Sequence, residues 1–485
     1  MDQEIDIQAI KTKTTSSVIF LTIRNFGIQA ISTLGFFLLT LLLGAGEVGL
    51  FAIVAESVSI LGYFSDVGLA SALIQQKTPI KKSELQTTFV IQQLLVFSAL
   101  IIASLVYSSV SQSHSYTNKE FWIFVSLCFS FVAASLKTIP SVQLERKLNF
   151  KIISTIDVTE NFLFYTFAVV FAYLGFGVFS YAIATFIRST VGLIMIYRVS
   201  PWPIGFKFSK QSAIKLFKFG IPFQLNSFIA VAKDRLSSLL VASIIGRESF
   251  GILAWAQKGP RIPLSFMDAI MKITFPTFAR LQHNPDLIRR SLSRSLFFVA
   301  LTVTPMLVGI VFIAPDIINL IPKYGKWLPA VFPLYFFAAN ASIAAITTPI
   351  TNAFNAVGKI TITTKLMLMW TALTWIFYPI LSLKFGYQGT AVAALIVGFS
   401  SFIVWFLAQK IFGLNVFLAI SRPVIASALM ILFLLPISAL NLQPLSNIIL
   451  KIFVGSITYL IFHLIFSRSD IIWFYQEIKC LIFKK

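Results

Sequence analysis

The sequence predicts an all-α polytopic membrane protein: about 14 transmembrane helices, as two six-helix lobes related by a parallel repeat plus two extra C-terminal helices. Three observations predict it. The chain is 57% apolar and only 12% charged, where a soluble domain is about half apolar and about a quarter charged, so a soluble fold would lack polar cover. Its apolar runs recur along the whole length and are continuous, as spanning helices require; barrel strands would alternate in segments of about ten. Finally, parts of the chain recur at a shift of 202 residues.

Taken in order, the runs fall at 17–43, 48–75, 87–109, 120–140, 152–174, 177–199, 219–245, 248–274, 291–322, 327–356, 361–383, 386–409, 416–439 and 445–467. The first is too long for a signal-peptide core and reads as a retained span. Runs one to six form an N-terminal lobe (1–208), and seven to twelve a C-terminal lobe (209–412). Residues 413–485 hold spans thirteen and fourteen and a cytoplasmic tail. Pro201 and Pro203 mark the linker between lobes. Two basic segments, Val142–Lys151 and Ser209–Phe219, mix Lys and Arg with Leu, Ile and Phe, a pattern expected of segments lying along the headgroup plane.

The net charge of +21 is read as positive-inside bias. With both termini cytoplasmic, 25 of the 39 Lys and Arg fall on the cytoplasmic side, in clusters such as Lys81–Lys82, Arg146–Lys147–Lys151 and Arg289–Arg290–Arg294. Five fall outside: Lys119, Arg247, Lys323, Lys326 and Lys384. No soluble basic domain exists to bind nucleic acid. Cys128 and Cys480 cannot make a disulfide framework, and His114, His283 and His463 make no metal pattern.

The repeat lies on Gly44–Ala52, which the 202-residue shift carries onto Gly246–Ala254, and on Phe64-Ser65-Asp66, carried onto Phe266-Met267-Asp268. Six spans separate the copies. An even number preserves orientation, so the repeats are parallel.

Ionisable residues inside spans cost about 2.5–3.5 kcal/mol each on insertion scales, so they should face a cavity or a partner. Span seven carries Lys233-Asp234-Arg235 at its centre. Consecutive residues point about 100° apart, so not all three face one way; an ion pair between helices is the alternative. Span eight has Lys258, Arg261 and Asp268 around Gly259-Pro260 and Pro263, where two prolines should break the helix and line a cavity, or else produce a packing kink. Arg24 in span one either faces the cavity or snorkels. Span two holds Glu56 and Asp66. Asp157 and Glu160 in span five are i,i+3 neighbours suited to a proton or cation, unless Asp157 merely caps a later helix start. Arg188 could pair with one of these acids. Lys137, Lys272 and Lys451 read as snorkelers. The interior of spans seven and eight is net cationic, which suits an anionic cargo, and Arg grips phosphate oxygens in bidentate fashion. No phosphate-binding loop for ATP and no Asp-x-Asp or His-rich metal site occurs, and the short outside loops leave little room for a catalytic site. A secondary transporter remains, with no cofactor.

Three motifs carry a family resemblance. Phe64-Ser65-Asp66-Val67-Gly68-Leu69-Ala70-Ser71-Ala72-Leu73-Ile74-Gln75-Gln76-Lys77 resembles the end of helix two of bacterial polysaccharide flippases of the multidrug/oligosaccharidyl-lipid/polysaccharide exporter superfamily. Leu144-Glu145-Arg146-Lys147-Leu148-Asn149-Phe150-Lys151 resembles their loop before helix five, and Phe217-Lys218-Phe219-Gly220-Ile221-Pro222 their start of helix seven. The resemblance implies flipping of undecaprenyl-diphosphate-linked oligosaccharide repeat units to the periplasmic leaflet of the bacterial inner membrane by alternating access. A polysaccharide polymerase and a chain-length regulator are the partners it suggests. In a related lipid flippase, arginines of helices one and eight line the central cavity; Arg24 and Arg261 lie on the matching helices. With the charges read from spans seven and eight, the candidate cation set is Arg24, Lys233, Arg235, Lys258 and Arg261. Glu56, Asp66, Asp157, Glu160, Asp234 and Asp268 are the ion-coupling or charge-balancing acids. A drug/cation antiporter of the same superfamily and a non-transporting scaffold are the rival readings.

Overall fold

The computed structural model describes residues 7–66, 68–76, 78–114, 118–440 and 442–467. Among them every regular element is helical: α1 (Ile7–Leu42), α2 (Ala45–Asp66), α3 (Leu69–Gln75), α4 (Lys82–His114), α5 (Asn118–Arg146), α6 (Phe150–Tyr173), α7 (Phe179–Val199) and α8 (Lys210–Val231). A π-turn (Ala232–Leu236) leads into α9 (Ser237–Arg280). Then follow α10 (Pro285–Leu320), a 3-10 stretch (Pro322–Ala330), α11 (Val331–Ala356), α12 (Ile360–Phe399), α13 (Phe402–Phe412), α14 (Val416–Ala439) and α15 (Pro444–Phe466). The tail beyond 467, Lys77 and the side chain of Asp66 lie outside the described residues.

Eleven helical stretches among the described residues are long and apolar enough to cross a membrane. Two of them, Ala232–Arg280 and Ile360–Phe412, run 49 and 53 residues. At 1.5 Å per residue these would reach about 74 and 80 Å, against a hydrocarbon core of about 30 Å. Each therefore has to break, and each does so at a glycine with positive φ: Gly246 (φ 79°) and Gly386 (φ 58°). At the second break the chain reverses, because the Ser382 and Thr390 hydroxyls lie 2.8 Å apart. Eight residues of straight helix would hold them about 12 Å apart. The fourteen-run reading draws its seventh/eighth and eleventh/twelfth boundaries within a few residues of these two glycines.

The chain divides into two compact units, Met1–Gly251 and Ile252–Lys485. In the first, the three motifs that carried the resemblance meet. Gly68, in the left-handed conformation (φ 75°), forms the corner between α2 and α3, and a Cβ there would meet the Gly220 backbone of α8. The Arg146 guanidinium donates to the carbonyls of Leu73 (2.7 Å), Gln76 (2.6 Å) and Thr78 (3.0 Å), occupying carbonyls at and just beyond the C-terminus of α3. Leu69, Leu73, Phe89, Ile139, Trp202 and Leu216 pack into one core around this corner.

Two surface segments are corrected here. Val142–Lys151 is not a headgroup-plane element: α5 continues to Arg146, the chain turns at Leu148 (φ 54°), and α6 begins at Phe150. Likewise Lys210–Phe219 forms the first turns of α8, with Ala213 and Leu216 buried against α3 and α4. Val142, Leu144, Ala213 and Leu216, which helped suggest a lipid surface, are buried against protein, whereas Ile214 stays 60% exposed.

In the second unit, α10, α11, α13 and α14 share a core that includes Leu292, Leu296, Ile350, Phe354, Trp405 and Ile420. α14 and α15 pack on α10 through Met430, Leu434 and Val454.

Candidate functional site

Within the first unit, each described acid predicted in spans two and five holds a base from another helix. The Arg24 Nη2 of α1 lies 2.8 Å from Asp157 Oδ2 of α6, both side chains about one-third exposed. Lys137 Nζ of α5 lies 2.5 Å from Glu160 Oε1. The Glu160 carboxylate lies against α7 at Gly192, where a Cβ would collide with it. Arg188, one turn earlier on α7, sits with its guanidinium carbon 4.9 Å from the Phe164 ring centroid, a cation–π contact, and within electrostatic reach of Glu160. Asp157 lies within α6, so the alternative that it caps a later helix start falls away. Two sequence-based readings change. Arg24 is ion-paired across helices, and Lys137 is paired and does not snorkel.

The π-turn holds Lys233, Asp234 and Arg235. One extra residue per turn re-aims these side chains, and such turns recur at functional sites. Arg235 Nη1 donates to both carboxylate oxygens of Glu56 on α2, at 2.7 and 2.6 Å. Lys233 and Asp234 pair with each other at 3.2 Å. Both helix ends nearest this pair, Ala45 and Gly246, are 11 residues away, which sets the Arg235–Glu56 pair about 17 Å deep, near the middle of a 30 Å core. The π geometry had no signature in the sequence beyond the charged triplet itself.

At the end of the first unit where α2 begins, Arg247 pairs with Glu120 at 2.9 Å. At the end where α3 lies, Lys215 pairs with Glu84 at 2.7 Å. Together with Arg235–Glu56, these pairs join the 210–247 segment to acids of α2, α4 and α5 at three depths.

In the second unit the predicted helix break at Gly259–Pro263 does not occur. α9 runs helically through Pro260 and Pro263, and its non-helical residue is Gly246. Each proline withdraws one donor, and the turns on either side keep theirs. A continuous helix arranges the polar residues differently. Gln257, Arg261, Asp268 and Lys272 are all exposed, at steps of four, seven and four, so they share one face of α9. Lys258 is one residue off that face and partly buried. Arg261 has no ion-pair partner among the described residues. Facing lipid, these charges would each cost several kcal/mol, so the stripe calls for an aqueous surface.

The sequence reading did not single out Asp316. On α10 it pairs with Lys451 of α15 at 2.6 Å and accepts from Asn447 at 3.0 Å, and Lys451 also donates to the Phe312 carbonyl. The Lys451 side chain is 4% exposed, so it does not snorkel. The available signal was parity: one acid and one base, each alone in a late apolar span.

Comparison with known proteins adds the following. The family model described as "Polysaccharide biosynthesis protein" matches residues 38–332. The teichuronic acid biosynthesis protein TuaB of Bacillus subtilis (strain 168) is 24% identical over 302 residues, 61% of this chain and 61% of that protein. The chain thus spans about three-fifths of that relative's length. The lipopolysaccharide biosynthesis protein WzxC of Escherichia coli (strain K12) is 21% identical over 432 residues, 87% of this chain and 83% of that protein. Among solved structures, the lipid II flippase MurJ in an inward closed conformation superposes with a TM-score of 0.74 at 18% identity, covering 93% of this chain and 100% of that one. That similarity establishes a shared fold.

Proposed function

Since the chain belongs to the polysaccharide biosynthesis protein family, we propose that it flips undecaprenyl-diphosphate-linked oligosaccharide repeat units from the cytoplasmic to the periplasmic leaflet, by alternating access, for a surface polysaccharide. It acts as a transporter in the bacterial inner membrane, with both termini cytoplasmic. A polysaccharide polymerase and a chain-length regulator are its expected neighbours.

The observation that carries this reading is the state of the acids. A cation antiporter needs carboxylates free to take its cargo. Here Asp157, Glu160 and Glu56 are each already engaged by Arg24, Lys137 and Arg235. Such carboxylates act as stand-ins for an anion. A diphosphate entering beside Arg24 or Arg235 exchanges for a carboxylate and inherits charge-assisted hydrogen bonds. Desolvation of the cations has already been met by the resting pair, so the exchange is close to balanced, as carrying a cargo onward requires. The released Asp157 or Glu56 can then take a proton or cation, which links ion binding to cargo binding. On their sequence positions, Arg261 and Lys258 of α9 and Lys233 stay in the proposed cation set, and Asp234 and Asp268 stay among the proposed charge-balancing acids. The described structure gives no side-chain account of Asp66, which stays in the set on its sequence position.

The repeat-based lobes, 1–208 and 209–412, with 413–485 appended, belong to the same proposal. Supporting it, a Cβ on Gly49 would meet the Arg247 carbonyl and one on Gly251 would meet the Ala45 carbonyl. The 202-residue shift carries Ala45 onto Arg247 and Gly49 onto Gly251, so the contact is reciprocal, as a two-fold relation requires.

The test is reconstitution. Purified protein in vesicles should move undecaprenyl-diphosphate-linked oligosaccharide from one leaflet to the other, read by loss of accessibility to an external glycosidase. No transfer above protein-free vesicles, with or without an imposed ion gradient, contradicts the proposal.

A further inference from the structure

We propose that the cleft between the end of α7 and the start of α6 is a binding site for an anionic phospholipid, separate from the cargo path. A groove of about 530 Å³ opens there, lined by Lys151, Ile152, Ile156, Met195, Arg198 and Val199. Its composition is that of a lipid site divided by depth. Lys151 and Arg198 are exposed at the helix ends, and the apolar side chains follow inward. Ile156, with Leu144 and Ile196, closes the floor.

Two further features favour a phosphate at the rim. α6 is 24 residues long and its N-terminus opens into the groove, with the Asn149 side chain making no capping bond to the first-turn N–H groups. Those groups and the helix dipole attract an anion beside the two cations. The rim also lies at the end of the bundle carrying Arg146 and Lys147, the side that charge asymmetry assigns to the cytoplasm. Basic pockets between helices on that side are known to hold acidic lipid headgroups.

The occupant is a phospholipid and not the cargo because the two surfaces of α6 are distinct. Lys151, Ile152, Thr155 and Ile156 centre about 140° round the helix from Asp157 and Glu160. A lipid bound in the cleft lies across α6 from the exchangeable pairs. Its phosphate sits between Lys151 and Arg198, with one acyl chain along Ile152, Ile156 and Met195. It staples α6 to α7, the helices that hold Glu160 against Gly192.

The experiment is a lipid titration of the purified full chain in detergent, read by native mass spectrometry, with phosphatidylglycerol, phosphatidylcholine and undecaprenyl diphosphate as probes. Phosphatidylglycerol should bind preferentially. Lys151→Ala/Arg198→Ala should weaken it about thirty-fold, from the usual contribution of two cations near a membrane surface. Lys359→Ala/Lys365→Ala removes two exposed lysines assigned to the same side and should leave it unchanged. Thr155→Trp keeps both cations and fills the groove; it too should weaken the preference, which covers the case in which the double variant folds poorly. Undiminished preference in both groove variants overturns the site. So does a double variant that loses undecaprenyl diphosphate while holding phosphatidylglycerol, which assigns the groove to the cargo. None of these readouts involves transport, so they stand or fall apart from the proposed function.

Discussion

Asp157 and Glu160 are three residues apart on α6, yet they pair with bases from different helices, Arg24 of α1 and Lys137 of α5. The sequence made the acids legible as a pair on one face, because i,i+3 spacing needs only the helix. It left Lys137 as a snorkeler, because its partner lies 23 residues downstream on the next helix, a distance that only packing closes. The Asp316–Lys451 pair is the extreme case, with 135 residues between partners. It also gives the clearest stability prediction. Lys451→Met strands a carboxylate inside the second unit, and breaking a buried pair this way costs about 3–5 kcal/mol. Adding Asp316→Asn removes the stranded charge, so the double variant should recover most of the loss. Thermal unfolding in detergent checks both; a double variant no more stable than Lys451→Met would mean that the pair does not hold α15 to α10.

At the scale of elements, long apolar runs were legible because the membrane sets their length, while the breaks at Gly246 and Gly386 are seen only in the structure. Proline misled. Pro260 and Pro263 suggested a broken helix lining a cavity, and the helix passes through both. The backbone turns instead at Gly246 (φ 79°, ψ 169°), a conformation that side chains strain by about 1–3 kcal/mol. Gly246→Ala should therefore lower the melting temperature and reduce export. Pro260→Ala, which restores a donor to an intact helix, should leave export within about two-fold of normal, an expectation that follows from helix continuity. Export assays at matched membrane abundance separate the two accounts: severe loss in Pro260→Ala with no effect of Gly246→Ala would return the functional break to the prolines. The amphipathic segments misled for a related reason. Leu, Ile and Phe beside Lys and Arg suit either a lipid surface or a helix end packed on protein, and only the tertiary fold distinguishes them. The π-turn at Ala232–Leu236 had no pattern to announce it.

At the scale of the whole molecule, the sidedness of the chain rests on charge. Single cysteines at Ser113, Lys81 and Lys210, in a cysteine-free background, should divide: an impermeant reagent added outside should label position 113 and neither of the others. Labelling of 81 or 210 would invert the map and with it the proposed direction of export. Cations inside the spans are proposed to grip a diphosphate. Arg261 tests it most directly, since it is exposed on the polar face of α9 and, among the described residues, has no acid partner whose loss would confuse the result. In cells that depend on this protein for polysaccharide export, Arg261→Lys keeps the charge but loses the planar fork, and should export partly. Arg261→Ala should export severely less, both at wild-type membrane abundance. The measurement is the amount of lipid-linked repeat unit left on the cytoplasmic leaflet: the account predicts its accumulation in Arg261→Ala, and normal export with no accumulation would contradict it.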